Sequence, residues 1–257
     1  MEFGICNLSV IPVRAEPSDK SEMVTQLLFG EHFEIIEKQK NWNRIRIAYD
    51  GYDGWMDAKQ CELISMEDFQ SLNKNNFAVT KDIVQVAILN ETIPLAILIG
   101  SSLPFYNDRK FKIAEQYYSF EGDVKQFDAV EQNSIIENSY HYLNAPYLWG
   151  GRGPFGIDCS GYTQLVFKLS GIKLKRDAHQ QSEQGQTVNI LEETEPGDLV
   201  FFDNEEGKIV HVGILLKKDK VIHASGCVKI NDIDHHGIFN KEMNKYTHSL
   251  RLIKRII

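Results

Sequence analysis

Apolar positions between residues 7 and 64 come in short runs separated by polar turns, at 8–14, 25–28, 32–39, 42–48 and 54–56. In Arg44-Ile45-Arg46-Ile47-Ala48-Tyr49 polar and apolar side chains alternate, the period of a strand with one buried face. Asp50-Gly51 and Asp53-Gly54 supply hairpin signals. The pattern predicts a small β-barrel over residues 1–65. A helical turn is expected over 66–74, and a second set of runs at 77–79, 84–89, 96–98, 103–106 and 110–113 predicts another small barrel over 66–125. The two segments share no residue-level repeat.

From Gln126 the period changes. Val130, Ile135, Ile136, Tyr140 and Leu143 are spaced for a helix over 128–143, ending before Ala145-Pro146. A glycine-rich loop, Trp149-Gly150-Gly151-Arg152-Gly153-Pro154-Phe155-Gly156, leads into a second helix from Asp158. Tyr162, Leu165, Val166 and Leu169 form its apolar stripe, and Gly171 is its stop signal. Strands are expected at 199–202, 210–216, 220–224 and 250–257. Residues 126–257 therefore read as one α+β domain behind two barrels.

Composition narrows the function classes. The chain has 257 residues, with 42% hydrophobic and 25% charged, the balance of an ordinary folded protein. A net charge of −8, from 28 Lys plus Arg against 36 Asp plus Glu, gives no support to a nucleic-acid partner, and no basic run exceeds a doublet such as Lys217-Lys218. No apolar run reaches the roughly 18 to 20 residues of a membrane span. No basic-then-apolar leader opens the chain, so a cytoplasmic protein is expected, or an exported one if a signal has been removed. Cys6, Cys61, Cys159 and Cys227 are too far apart in sequence for a paired-cysteine metal or redox motif. Free thiols are expected, with a Cys6–Cys61 pair as the alternative in an exported chain.

Candidate chemistry centres on Cys159. Asp158 is a good N-cap, and a thiol in the first turn lies beside free backbone N–H groups and the positive end of the helix dipole. Both lower its pKa, and the same N–H groups can hold an oxyanion. A buried structural cysteine is the alternative. On the run Val210-His211-Val212-Gly213-Ile214, His211 and Gly213 share a face, and His223 follows on the expected returning strand. With an even register, the two histidines become diagonal neighbours roughly 7 to 8 Å apart at Cα. A Cys, a base and a group that orients the base make a generalised triad. The same three side chains also suit zinc with an open fourth position. The run Asp232-Ile233-Asp234-His235-His236 is a further ligand cluster or, more simply, a solvated loop.

In chain order, Tyr147-Leu148-Trp149-Gly150-Gly151, Asp158-Cys159-Ser160-Gly161, Pro196-Gly197-Asp198-Leu199-Val200-Phe201-Phe202, His211-Val212-Gly213-Ile214 and Ile222-His223-Ala224 resemble the motifs of NlpC-type cell-wall peptidases. The N-terminal part, with Val13-Arg14, Trp42 and Gly51-Tyr52-Asp53-Gly54-Trp55, resembles bacterial Src-homology-3-like barrels. The combination is similar to γ-D-glutamyl-L-diamino acid endopeptidases. The resemblance implies a papain-like α+β catalytic domain preceded by two Src-homology-3-like barrels, and no cofactor or metal. It also implies a murein peptide of the L-Ala-γ-D-Glu-diamino acid type as substrate. In its terms Cys159 is the nucleophile, His211 the base, His223 its orienting group and Tyr147 an oxyanion donor, while Asp158, Ser160 and Trp149 line the substrate cleft. Glu16, Tyr52 and Asp177 are candidates for a substrate amine. Ala178 departs from the serine common after the Arg-Asp pair. A wall-peptide binder with a degenerate site, or an acyl or amide transferase of the same clan, are the alternative functions.

Overall fold

The alternating segment becomes the strand Trp42–Ile47, with Asn43, Ile45 and Ile47 buried. It lies in an antiparallel seven-stranded sheet in the order Met23–Leu28, Val10–Arg14, Asp53–Asp57, Trp42–Ile47, His32–Gln39, Glu2–Ile5, Glu62–Ile64. This computed structural model describes residues 2–74, 78–127, 134–241 and 243–257. Met1–Ala129 and Trp149–Pro154 make one compact unit, and Val130–Leu148 with Phe155–Ile257 makes the second.

The first unit holds two apolar clusters. One, around Ile11, Val13, Leu27, Phe33, Ile45 and Met56, fills the seven-stranded sheet. The other joins Ile5, Phe29 and Leu72 to Ala87, Ile97, Phe111, Tyr118 and Phe120. Residues before and after position 66 therefore share a core. The helix Met66–Lys74 forms as a full element with Phe69 and Leu72 buried, longer than a single turn. Beyond it are a four-stranded sheet (Ile93–Leu98, Val84–Leu89, Gln116–Phe120, Lys110–Ile113) and a three-stranded one (Ser102–Leu103, Ala78–Thr80, Val124–Lys125). The strand Ile93–Leu98 extends back through Pro94, which an edge position tolerates because no ladder N–H is needed there. Phe77 lies outside the described residues.

In the second unit, six strands close on themselves: Lys245–Arg255, Leu199–Asp203, Ile209–Lys217, Lys220–Ser225, Cys227–Asp234 and Gly237–Asn240, with the last pairing back to the first. Val200, Phe202, Leu215, Val221, Ile233 and Ile253 pack together as its core. The helix Cys159–Leu169 packs on Ile209–Lys217, as does the short helix Ala178–Gln181. Every residue of Cys159–Leu169 is buried, a fuller burial than one apolar stripe provides. Two of its polar side chains find partners inside: the Thr163 hydroxyl donates to Gln181 Oε1 at 2.7 Å, and Gln164 Nε2 donates to the Leu174 carbonyl at 3.1 Å. The first helix of this unit, Ser134–Tyr140, ends three residues before its apolar spacing suggested, where turns with Asn144 in the left-handed region (φ 68°) follow it. Residues 128–133 of that expected helix, Val130 among them, lie outside the described residues.

Candidate active site

Asp158 starts the thiol-bearing helix as expected, its Oδ1 accepting the Gly161 N–H at 2.6 Å. The same carboxylate takes both arms of the buried Arg176 guanidinium, at 3.0 and 2.6 Å, and Arg176 also donates to Ser160 Oγ at 2.9 Å. Asp158 and Ser160, expected on a substrate-lining surface, are thus engaged with Arg176. Gln181 Nε2 ties this turn to the short helix by donating to the Ser160 carbonyl at 3.0 Å. Asp177 caps that helix, and its own N–H donates to Gln180 Oε1 at 3.2 Å.

The returning strand has the even register that aligns the histidines. Ile214 pairs with Ile222, which sets His223 opposite Gly213 and diagonal to His211. A Cβ on Gly213 would lie 2.6 Å from Val221 Cγ2 and 3.1 Å from His223 Cβ, so glycine makes room for the second imidazole. His211 Nε2 and His223 Nδ1 are 2.8 Å apart, and His223 Nε2 is 3.0 Å from Asn231 Oδ1. His248 stacks on His211 with ring centroids 4.3 Å apart. Asn231, His248 and Arg176 were not read from sequence as site residues. Asn231 and His248 sit in polar stretches without apolar periodicity, and the partner of a buried arginine is a tertiary fact.

The helix that starts at Cys159 packs on the strand that carries His211, and the Val212 and Ser160 backbone groups near the sulfur favour its charged form. The expected lowering of the thiol pKa is reversed. Burial pushes it up to about 12, with the Asp158 carboxylate adding to the rise, against the downward pull of Val212, Arg176 and Ser160. Burial also holds His223 down at about 4, and His211 well below the usual imidazole range, with His223, His248 and Lys229 contributing to the latter. Thiol and imidazoles are therefore neutral at rest. Tyr147 feels the charge of Cys159 and Asp158, and burial raises its hydroxyl to about 12, which keeps it a proton donor at neutral pH. Its backbone N–H is anchored on the Gly226 carbonyl at 2.9 Å.

Glu16, Tyr52 and Trp149 belong to the first unit. Glu16 is exposed, on a turn where its N–H donates to Ser21 Oγ at 3.0 Å. Tyr52 packs beside the first apolar cluster, and its N–H donates to Asp50 Oδ1 at 3.0 Å. Trp149 is 60% exposed and donates its indole N–H to Glu22, while Trp55 is buried. All four cysteines are free. The run from Asp232 is not a loop: Asp232 to Asp234 complete a strand, and His235-His236 turn into Gly237–Asn240. Among the described residues no three His, Cys, Asp or Glu side chains converge as a metal ion requires.

Comparison with known proteins places these features. Residues 144–249 match the NlpC/P60 family model, and residues 13–60 match the bacterial dipeptidyl-peptidase Sh3 domain. The chain is 32% identical over 218 residues to a γ-D-glutamyl-L-lysine dipeptidyl-peptidase of Bacillus subtilis, covering 78% of this chain and 71% of the relative. It is 26% identical to dipeptidyl-peptidase 6 of Lysinibacillus sphaericus, covering 89% and 91% of the two chains. An NlpC/P60 family protein from Bacillus cereus has the same fold, with a TM-score of 0.82 over 99% of both chains at 19% identity. The closed sheet, its thiol-bearing helix and the N-terminal Src-homology-3-like sheet are those of this group, and the chain belongs to the NlpC/P60 family of cysteine peptidases.

Proposed function

We propose that this peptidase cleaves the bond between γ-D-glutamate and a diamino acid in short murein peptides with a free amino terminus, a step in reuse of wall fragments. The observation that supports the chemistry is the hydrogen-bonded line of His211, His223 and Asn231, on a sheet against whose His211 strand the helix that starts at Cys159 packs. The substrate follows the names of the relatives from Bacillus subtilis and Bacillus cereus, both γ-D-glutamyl-L-lysine dipeptidyl-peptidases.

In this reading His211 takes the thiol proton as Cys159 Sγ attacks the γ-glutamyl carbonyl carbon. The C=O electrons move onto oxygen, where N–H groups at the helix start and the Tyr147 hydroxyl stabilise the charge. Protonated His211 then gives its proton to the departing amine as the C–N bond breaks, leaving a thioester. Water, deprotonated by His211, attacks the thioester, and Cys159 leaves as the thiol. The step involves no cofactor.

Glu16 and Asp177, with the Tyr52 hydroxyl, are the groups offered for the substrate ammonium. A charge-assisted hydrogen bond contributes roughly 1.5 to 3 kcal/mol, or about 10- to 100-fold in rate constant ratio, and N-acetylation removes it. The test compares kcat/KM for free and N-acetylated L-Ala-γ-D-Glu-L-Lys in wild type, Glu16→Gln, Asp177→Asn and Cys159→Ala. Cys159→Ala is expected to be inactive, and wild type to favour the free amine by at least tenfold. Equal rates on both peptides overturn the amine reading, and turnover by Cys159→Ala overturns the catalytic one.

A further inference from the structure

We propose that Asn231 is a positioning residue that sets the protonation pattern of both active-site imidazoles through its hydrogen bond to His223. The proposal rests on the catalytic reading of Cys159 and His211 given above. Three neutral groups stand in line, His211 Nε2, His223 Nδ1 and Nε2, and Asn231 Oδ1, at 2.8 and 3.0 Å.

An amide oxygen only accepts, so the His223 nitrogen facing it must carry the proton. Neutral His223 then has a bare Nδ1, which accepts the N–H of His211 Nε2. Neutral His211, protonated at Nε2, is left with a bare Nδ1. That lone pair is what a base needs to take a thiol proton. When His211 gains the proton at Nδ1, its Nε2–H still donates to His223, so the relay carries the cation without rearranging.

Removing the oxygen reverses the logic. His223 is almost fully buried, and an unmade N–H there is costly. The cheaper arrangement moves the His223 proton to Nδ1, where it donates to His211 Nε2. His211 must then hold its own proton at Nδ1, and the base is lost. The groups facing His223 are His211 on Ile209–Lys217, Lys229 and Asn231 on Cys227–Asp234, and His248 on Lys245–Arg255; none is a carboxylate. The Cys159 helix packs against the same strand as well. A neutral acceptor therefore lets the imidazoles remain uncharged.

The test reads ring-nitrogen protonation directly by 15N NMR of histidine-labelled protein at neutral pH, alongside kcat and KM. Wild type is expected to show both His211 and His223 protonated at Nε2. Asn231→Leu should move protons to Nδ1 and lower kcat roughly tenfold with little change in KM. Asn231→Asp, which keeps the acceptor, should restore the wild-type tautomers and most of kcat. Its added negative charge should also raise the acidic limb of the pH–rate profile, since it favours a protonated His223. Wild-type His223 protonated at Nδ1 overturns the proposal without any variant. So does Asn231→Leu with unchanged tautomers and rate, or equal loss in Asn231→Leu and Asn231→Asp with unchanged tautomers, which marks a structural role. Full activity of Cys159→Ala would remove the catalytic reading while leaving the tautomer measurement valid.

Discussion

At the scale of single residues, burial outweighs the helix dipole at Cys159. The dipole and first-turn N–H groups offer the thiolate modest help, about 1 kcal/mol, whereas removal from water acts on the full charge. The thiol consequently stands at about 12, and its partner imidazoles are held neutral. Inactivation by iodoacetamide should therefore be slow at neutral pH and rise about tenfold per pH unit, because the reactive thiolate fraction grows with pH until it meets the pKa. Mass analysis of the adduct at Cys159 measures it. A rate already on a plateau near neutral pH would mean a resting thiolate–imidazolium pair and would overturn the neutral-site description. Activity should survive chelation, since catalysis runs through the thiol. The placement of Cys159 at a helix start, and of His211 and His223 on one face of a hairpin, was legible from sequence because each signal is local: an N-cap before a helix and an alternating strand with two histidines in phase. Arg176 was not, because nothing in Lys175-Arg176-Asp177 states that its guanidinium turns inward to Asp158.

At the scale of elements, the hairpin Ile209–Lys217 and Lys220–Ser225 sets the site's geometry. Its long apolar stretches made it readable, whereas the neighbouring strand Cys227–Asp234 was hidden by Lys229, Asn231, Asp232 and Asp234, which look like loop residues. That strand forms through pairing on both sides, a tertiary effect that local propensity does not contain. Short strands such as Glu2–Ile5, paired on both sides, and Glu62–Ile64, an edge strand paired on one, escaped because their pairing is tertiary too. The tight point of the hairpin is Gly213. In Gly213→Ala the new methyl must displace Val221 or His223, and overpacking of this kind costs roughly 1 to 3 kcal/mol. The expected result is a lower unfolding free energy by denaturant titration together with a reduced kcat, because the His211–His223 contact is displaced. Wild-type stability and kcat in that variant would show that the strands accommodate the methyl freely.

At the scale of the whole molecule, order along the chain and membership of a compact unit differ at one segment. Trp149–Pro154 lies between residues of the catalytic unit in sequence, yet belongs to the first unit. From sequence it reads only as part of a glycine-rich loop that leads into the helix of Cys159. The structure shows an anchored one: Gly150 (φ 74°) sits where a Cβ would strike the Met23 carbonyl oxygen at 2.2 Å, and the Arg152 N–H donates to Gln26 Oε1 at 2.8 Å. The Arg152 guanidinium grips Glu31 with two hydrogen bonds of 2.6 and 2.9 Å and donates to the Gln26 carbonyl at 2.7 Å. Both side chains of the pair are at most 2% exposed, so each charge depends on the other for what water no longer supplies. Breaking such a pair from one side leaves a bare buried charge and typically costs about 3 to 5 kcal/mol, while replacing both partners by apolar residues is often close to neutral. Denaturant unfolding of Glu31→Leu, Arg152→Met and the double variant forms the cycle that measures this. Each single variant is expected to lose about 3 to 5 kcal/mol, and the double variant much less than their sum. Glu31→Leu should also lower activity, because the segment it anchors ends five residues before Cys159 in sequence. Single variants that each cost under about 1 kcal/mol and add without coupling would place the pair among weak surface ion pairs and end the anchoring argument.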